Sequence, residues 1–265
     1  FPTLKSPNPE EPSALAMAIN LAKEKNAEIV MATDPDADRL GIAIRKPSGE
    51  YILLNGNQTG AILTWYILTQ KKKLNLLKGN EYIINTIVTS DLFDVIAAKQ
   101  GVESYKVLTG FKFFAALIRE LEGRKKYIGG GEESFGYLPG DYVRDKDGIS
   151  SCCLFAETTA WARENGKSIW DLLLDIYVEY GLYKERLINV VRKGPEGAAE
   201  IRKMMEDYRN NPPMEIAGTK VAKIYDWQAL TSTDMYTGKK TPLEPQKSNV
   251  LQFFLADGSK ISVRP

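Results

Sequence analysis

The sequence predicts an α/β fold, with mixed and parallel sheets covered by helices on both faces, followed by an α+β segment. Three observations carry this. From Tyr82 onward, strand-like and helix-like stretches alternate regularly: strand 82–88, helix 91–100, strand 103–108, helix 111–122 and strand 126–130. Such a βαβαβ order implies a largely parallel sheet with helices packed on it. A 43% apolar share over 265 residues supplies a sizeable core. After Tyr183 the pattern changes to a strand-like 186–191, a polar helix 195–210, a Pro212-Pro213 break and scattered short strands, as expected of a linker and a separate small module.

The remaining elements follow in order. Leu15, Ile19 and Ala22 recur at helical spacing and predict a helix over 12–26. The apolar runs 28–33 and 40–45 read as strands, and the Pro47-Ser48-Gly49 break precedes a short strand 51–54 and a helix from about 59 to 70. Helices 149–164 and 168–181 complete the cover of the parallel sheet, and a hairpin, 250–255 with 260–263, turns at Asp257-Gly258. The chain opens at Phe1 and ends just after that hairpin, so a fragment of a longer protein is expected.

Charge and composition remove several function classes. With 35 Lys+Arg against 34 Asp+Glu, a net charge of +1 offers no basic stripe for nucleic acid. No apolar run approaches the roughly 20 residues that span a bilayer, so no membrane association is expected. Cys152 and Cys153 are adjacent and make no disulfide framework, which points to a reducing, cytoplasmic setting. The absence of histidine excludes an imidazole base, Ser-His-Asp hydrolysis and His-ligated zinc. Carboxylates, Lys, Arg and hydroxyls must do the chemistry.

In open α/β sheets ligands gather outside the carboxyl ends of the strands, where helix N-termini present unpaired N–H groups. Three segments sit at such ends: Thr89-Ser90-Asp91, Thr109-Gly110-Phe111-Lys112 and Gly131-Glu132-Glu133-Ser134. They are expected to face one crevice. The sharpest motif, Asp34-Pro35-Asp36-Ala37-Asp38-Arg39, alternates three carboxylates in a loop between two strands. Their mutual repulsion calls for a cation, and hard oxygen donors favour Mg²⁺ or Ca²⁺. An EF-hand is excluded, because Arg39 and Arg45 stand where its loop needs Gly and Glu. The competing reading is a solvated acidic turn.

Arg39 could brace a phosphate. The stretch Gly129–Gly136 combines glycines with Glu132, Glu133 and Ser134, acceptors suited to a polyol such as a sugar. It is neither a P-loop, for want of Lys-Ser/Thr, nor a nucleophile elbow. In Val143–Gly148, Arg144 could grip a phosphate and Lys146 move a proton, although a self-neutralising surface turn fits the same residues. Lys71–Lys73 and Arg124–Lys126 read as solvated faces.

Taken together, Phe1-Pro2 with Ser6–Glu10, Asp34–Arg39, Leu54–Gln58, Thr86–Ser90, Leu108–Lys112, Gly131–Gly136 and Val143–Gly148 resemble, in order, the motifs of the α-D-phosphohexomutases, close to the phosphoglucomutase/phosphomannomutase branch. The resemblance covers roughly the first 180 residues. It implies four domains around a cleft, of which this chain would carry the end of the metal-binding second domain (1–58), the sugar-binding third (59–182), and a linker with an incomplete phosphate-binding fourth (183–265). By the same resemblance Asp34, Asp36 and Asp38 hold Mg²⁺ together with a phosphoserine oxygen, and Arg39 lies against the reacting groups. Thr109, Gly110, Glu132 and Ser134 bind the hexose with Lys112 and Arg144 nearby, and Lys146 is the general base. The implied activity interconverts hexose 1-phosphate and 6-phosphate through a hexose bisphosphate, with the nucleophilic serine outside this chain and the fragment alone inactive. Phe111 stands where the family often carries His or Trp, so that contact differs or is absent. Two alternatives remain at this stage: a Mg²⁺-dependent sugar-phosphate phosphatase and a noncatalytic sugar-phosphate-binding module.

Overall fold

The computed structural model describes residues 2–244 and 246–265, so Phe1 of the opening motif lies outside the described residues. The chain divides into two compact units, Phe1–Glu185 and Arg186–Pro265.

In the first unit, helix α1 (Pro12–Lys25) starts on a proline, whose fixed φ suits a first turn, and ends on Asn26 in the left-handed conformation. Its buried Leu15 and Ala22 pack on Val30 and Ala43. These belong to an antiparallel meander of β1 (Ile29–Thr33), β2 (Leu40–Arg45) and β3 (Tyr51–Leu54), in that spatial order. The opposite face of β2 sends Leu40, Ile42 and Ile44 into the largest core cluster. Strand periodicity thus serves two layers at once.

Helix α2 (Gly56–Lys73) leads into β4 (Glu81–Thr86), α3 (Leu92–Gln100), β5 (Glu103–Val107), α4 (Phe111–Leu121) and β6 (Lys126–Gly131). β4 pairs in parallel with β5 on one side and β6 on the other, and a two-residue strand β7 (Tyr137–Leu138) adds antiparallel to β6. Alternation along β4 divides the core: Ile83 packs with Ile62, Phe93, Phe155 and Leu172, whereas Tyr82 and Ile84 pack with Phe114 and Ile118 of α4. Phe155 belongs to α5 (Gly148–Glu164) and Leu172 to α6 (Ile169–Tyr180). Helices therefore cover both faces, as the sequence predicts.

Three local readings change. α2 begins three residues before the expected Thr59, because Asn55 and Gln58 form a reciprocal capping box. β4 stops at Thr86 rather than Val88, since the Thr89 N–H returns to the Thr86 carbonyl at 3.1 Å and closes a turn. The expected strand 186–191 is irregular, with Leu187, Ile188 and Val191 all more than 70% exposed and no ladder partner among the described residues. Apolar alternation without a neighbour does not make a strand.

The second unit carries α7 (Gly194–Asn210) beside an antiparallel sheet with the order β11 (Lys240–Pro242), β10 (Thr231–Asp234), β9 (Thr219–Asp226), β12 (Leu251–Leu255), β13 (Lys260–Val263); β8 (Glu215–Ile216) pairs with β9. Met205 of α7 joins Val221, Ile224, Leu251, Phe253 and Leu255 in its core. The α+β character and the closing hairpin match expectation. No helix among the described residues is long and apolar enough to cross a membrane.

Candidate functional site

The site lies in the first unit, where loops from the meander and from the carboxyl edge of the parallel sheet are tied together by backbone hydrogen bonds. The Leu40 N–H donates to the Phe135 carbonyl at 2.9 Å, Arg39 and Gly136 form an isolated antiparallel bridge, and the Gly148 N–H donates to the Ala37 carbonyl at 2.9 Å. Two glycines permit this closeness. A Cβ on Gly148 would sit 2.7 Å from the carbonyl oxygens of both Ala37 and Arg39, and one on Gly56 would sit 2.1 Å from that of Glu133. Each acidic loop also bears a non-glycine residue in the left-handed region, Ala37 at φ 56° and Phe135 at φ 66°. Such backbone costs on the order of 1 kcal/mol and persists only where surroundings over-determine it.

In the first loop, one carboxylate oxygen from each of Asp34, Asp36 and Asp38 lies within 4.8 Å of the others. Asp34 Oδ1 accepts the Arg39 N–H at 3.0 Å, which curls the loop. Burial, followed by the like charges of Asp38 and Asp36, raises the Asp34 carboxyl above the usual carboxylate range against that hydrogen bond. Asp38 is split between two duties: Oδ2 meets Lys146 Nζ at 2.6 Å, whereas Oδ1 is buried without a hydrogen-bond partner among the described residues. Three hard oxygen donors, one of them buried and unmet, fit a divalent cation such as Mg²⁺.

Arg39 extends over this loop. Its Nε stands 3.5 Å from Asp34 Oδ2 and 3.7 Å from Asp38 Oδ1, and its Nη1 donates to Glu10 Oε1 at 2.7 Å. Glu10 is a partner that the sequence reading quoted within a motif but gave no role. Burial raises the Glu10 carboxyl, while Arg39 opposes the shift.

The second loop supplies different chemistry. Glu132 is buried and accepts the Gly110 N–H at the start of α4. Glu133 Oε2 accepts from the hydroxyls of Thr86 at 3.1 Å and Thr89 at 3.2 Å, which joins the turn after β4 to the same edge. Ser90 is held there through its N–H, which donates to Asn57 Oδ1 at 2.9 Å. Thr109 Oγ1 is buried with no hydrogen-bond partner among the described residues, and Ser134 is half-buried. The three expected segments therefore do converge on one edge. Glu133, Thr86 and Thr89 were missed as a network, and their signal, hydroxyls placed directly after a parallel strand, was visible.

Two expected residues turn aside. Lys112 Nζ lies over the Phe113 ring, 5.0 Å from its centroid. Arg144 donates to Glu122 Oε1 at 2.8 Å, beyond the carboxyl end of α4 and so away from the strand ends that carry the acidic loops. Phe111 is buried, stacked on Phe114 with ring centroids 4.2 Å apart.

Known proteins repeat this arrangement of sequence. Residues 1–49 match the model of phosphoglucomutase/phosphomannomutase α/β/α domain II, and residues 55–180 that of domain III. Phosphoglucomutases of Staphylococcus aureus strains MRSA252 and USA300 are each 38% identical over 267 aligned residues, covering 100% of this chain and 47% of the relative. The chain thus spans about half the length of the curated relatives it matches. Among solved structures, the open form of the Paramecium phosphoprotein pp63/parafusin, a phosphoglucomutase, has a TM-score of 0.60 at 21% identity, covering 94% of this chain and 42% of that one. A phosphoglucomutase/phosphomannomutase family protein of Burkholderia thailandensis has a TM-score of 0.54 at 18% identity, over 81% and 41% respectively, and at such identities both likenesses speak for the fold. With two consecutive family domains matched over residues 1–49 and 55–180 and curated relatives aligned along its whole length, the chain belongs to the phosphoglucomutase/phosphomannomutase family.

Proposed function

We infer that the protein to which this chain belongs interconverts hexose 1-phosphates and 6-phosphates, by way of a phosphoserine and a bisphosphorylated sugar. The observation that supports it most is the joining, at one edge, of a three-aspartate loop to a Glu132–Ser134 loop through the Arg39–Gly136 bridge. In this reading residues 1–58 are the C-terminal part of the metal-binding domain, 59–182 the sugar-binding domain and 183–265 a linker with an incomplete phosphate-binding domain. The phosphoryl-donating serine is assigned to a region outside residues 1–265. A cytoplasmic setting accompanies this reading, consistent with the free thiols of Cys152 and Cys153.

Asp34, Asp36 and Asp38 would hold Mg²⁺, whose charge, when bound, offsets that of the transferring phosphoryl group. Phosphoryl transfer depends chiefly on positioning and charge stabilisation. Arg39 provides a second, fixed positive charge beside the aspartates. Thr109 Oγ1 and the Glu132 and Ser134 oxygens supply acceptors for sugar hydroxyls, and hydroxyls are presented in both orientations of the sugar. Lys146 Nζ, 2.6 Å from Asp38 Oδ2, holds protons where an attacking hydroxyl would lose one. An ammonium cannot accept a proton, so Lys146 would act as base only in its neutral form, after losing a proton to solvent.

The test is an assay of the full-length protein on hexose 1-phosphates, with Mg²⁺ and a trace of hexose bisphosphate. Formation of the 6-phosphate is expected. Release of inorganic phosphate without isomerisation would favour a Mg²⁺-dependent phosphatase, and ligand binding without turnover a noncatalytic module, neither of which the relatives favour.

A further inference from the structure

Arg39 is pulled from two sides. The aspartates attract it through Nε, yet at 3.5 and 3.7 Å this nitrogen makes no hydrogen bond to them, and it is a buried donor without a hydrogen-bond acceptor among the described residues. A guanidinium left beside three carboxylates would be expected to close that gap and form short charge-assisted bonds. Glu10 and Asn8 hold it back. Nη1 donates to Glu10 Oε1 at 2.7 Å, with Asn8 Oδ1 at 3.5 Å on the same nitrogen. Asn8 in turn accepts the Glu10 N–H at 3.1 Å, so the two acceptors form one rigid turn.

That turn is seated on β2. Pro9 is buried, and a Cβ on Gly41 would lie 2.6 Å from Pro9 Cβ and 2.8 Å from its carbonyl oxygen. Only a glycine lets the segment lie this close. The line of force runs from Gly41 through Pro9 to Glu10, and from Glu10 to the guanidinium.

We propose that Glu10 is a positioning residue that competes with Asp34 and Asp38 for Arg39, holding the guanidinium off their oxygens so that these stay open to a divalent cation. This rests on the metal-site reading above and adds what keeps that site open. Without Glu10, Arg39 closes onto the aspartates as an internal cation and competes with the metal. Asn8 Oδ1, at 3.5 Å, is too long a contact to replace Glu10.

The experiment uses the full chain, with Mn²⁺ and Mg²⁺ binding followed by calorimetry and the Arg39 Nε–H resonance followed by ¹⁵N NMR in the metal-free protein. Glu10→Ala should weaken cation binding about tenfold or more and shift the Arg39 Nε–H signal, at an unchanged melting temperature. Glu10→Gln keeps the acceptor oxygen without the charge, and should retain affinity to within about twofold with an unmoved signal. Adding Glu10→Ala to Arg39→Ala should change affinity no further. Cation affinity left unchanged by Glu10→Ala would overturn the proposal. So would an Arg39 signal that Glu10→Ala leaves in place, a readout that needs no metal. Failure of the unaltered chain to bind either cation would instead count against the metal-site reading, with the NMR outcome still deciding the role of Glu10.

Discussion

In the 34–39 loop the aspartates face charged partners, Arg39 beside Asp34 and Asp38 and Lys146 Nζ on Asp38. In the 131–136 loop two glutamates accept hydrogen bonds from the Gly110 N–H and from the hydroxyls of Thr86 and Thr89. Both loops are bent through a left-handed non-glycine residue and lie against each other, so backbone strain does not distinguish them. The partners do. Charge balance is non-directional and one cation can replace another, whereas hydrogen bonds from fixed backbone and hydroxyl groups hold carboxylate oxygens in set directions. That contrast fits the proposed function, in which the first loop exchanges cations and the second presents a fixed pattern of acceptors.

Substitutions that spare one loop sharpen the contrast. The largest effect is expected for Asp36→Asn and Asp38→Asn in the full-length protein: a loss of activity of about a hundredfold or more, with weakened Mg²⁺ binding, read by kinetics and calorimetry. Unchanged metal affinity would reject their role as ligands. Next, Gly56→Ala forces a methyl group against the Glu133 carbonyl, which would lie 2.1 Å away. It should destabilise the chain by about 1–3 kcal/mol in denaturant unfolding, because the clash is with backbone. Glu132→Gln should lower kcat/KM about tenfold while leaving Mg²⁺ affinity in place, since it alters an acceptor for sugar and the Gly110 N–H without touching the aspartates.

The smallest effect is on pH. Burial raises the folded-state pKa of Asp34, so the protonated form is favoured by folding. Its stabilising contribution is therefore full below the unfolded value and is lost as pH rises through the raised one. Mg²⁺ needs the ionised form, so at pH below that raised value binding should release a proton and weaken by up to about tenfold per pH unit. Calorimetry in buffers of different ionisation enthalpy measures the proton directly.

Legibility in the sequence followed the range of the interaction. The βαβαβ unit was readable because each strand and helix is a local pattern: β5 and α4 end within one residue of expectation. The start of α2 was readable in principle from Asn55 and Gln58, three apart, but was placed late because the first apolar run begins after them. The 186–191 stretch shows the converse, an alternation that looks like a strand and lacks a neighbour to pair with. At the site, the three aspartates announced themselves by spacing alone. The partner of Arg39 did not, since Glu10 lies 29 residues away and only the seating of Pro9 on Gly41 brings it close. Nor did the turn of Arg144 towards Glu122, a contact across 22 residues between two surface segments.

The most direct measurement is anomalous scattering from crystals of the full-length protein grown with Mn²⁺ and a hexose bisphosphate. The expected map has one manganese peak bound by Asp34, Asp36 and Asp38, with the sugar hydroxyls within hydrogen-bond reach of Glu132 and Ser134. A manganese peak elsewhere, or a sugar bound away from the Glu132–Ser134 loop while the aspartates keep only Arg39 and Lys146 for company, would contradict a single shared site.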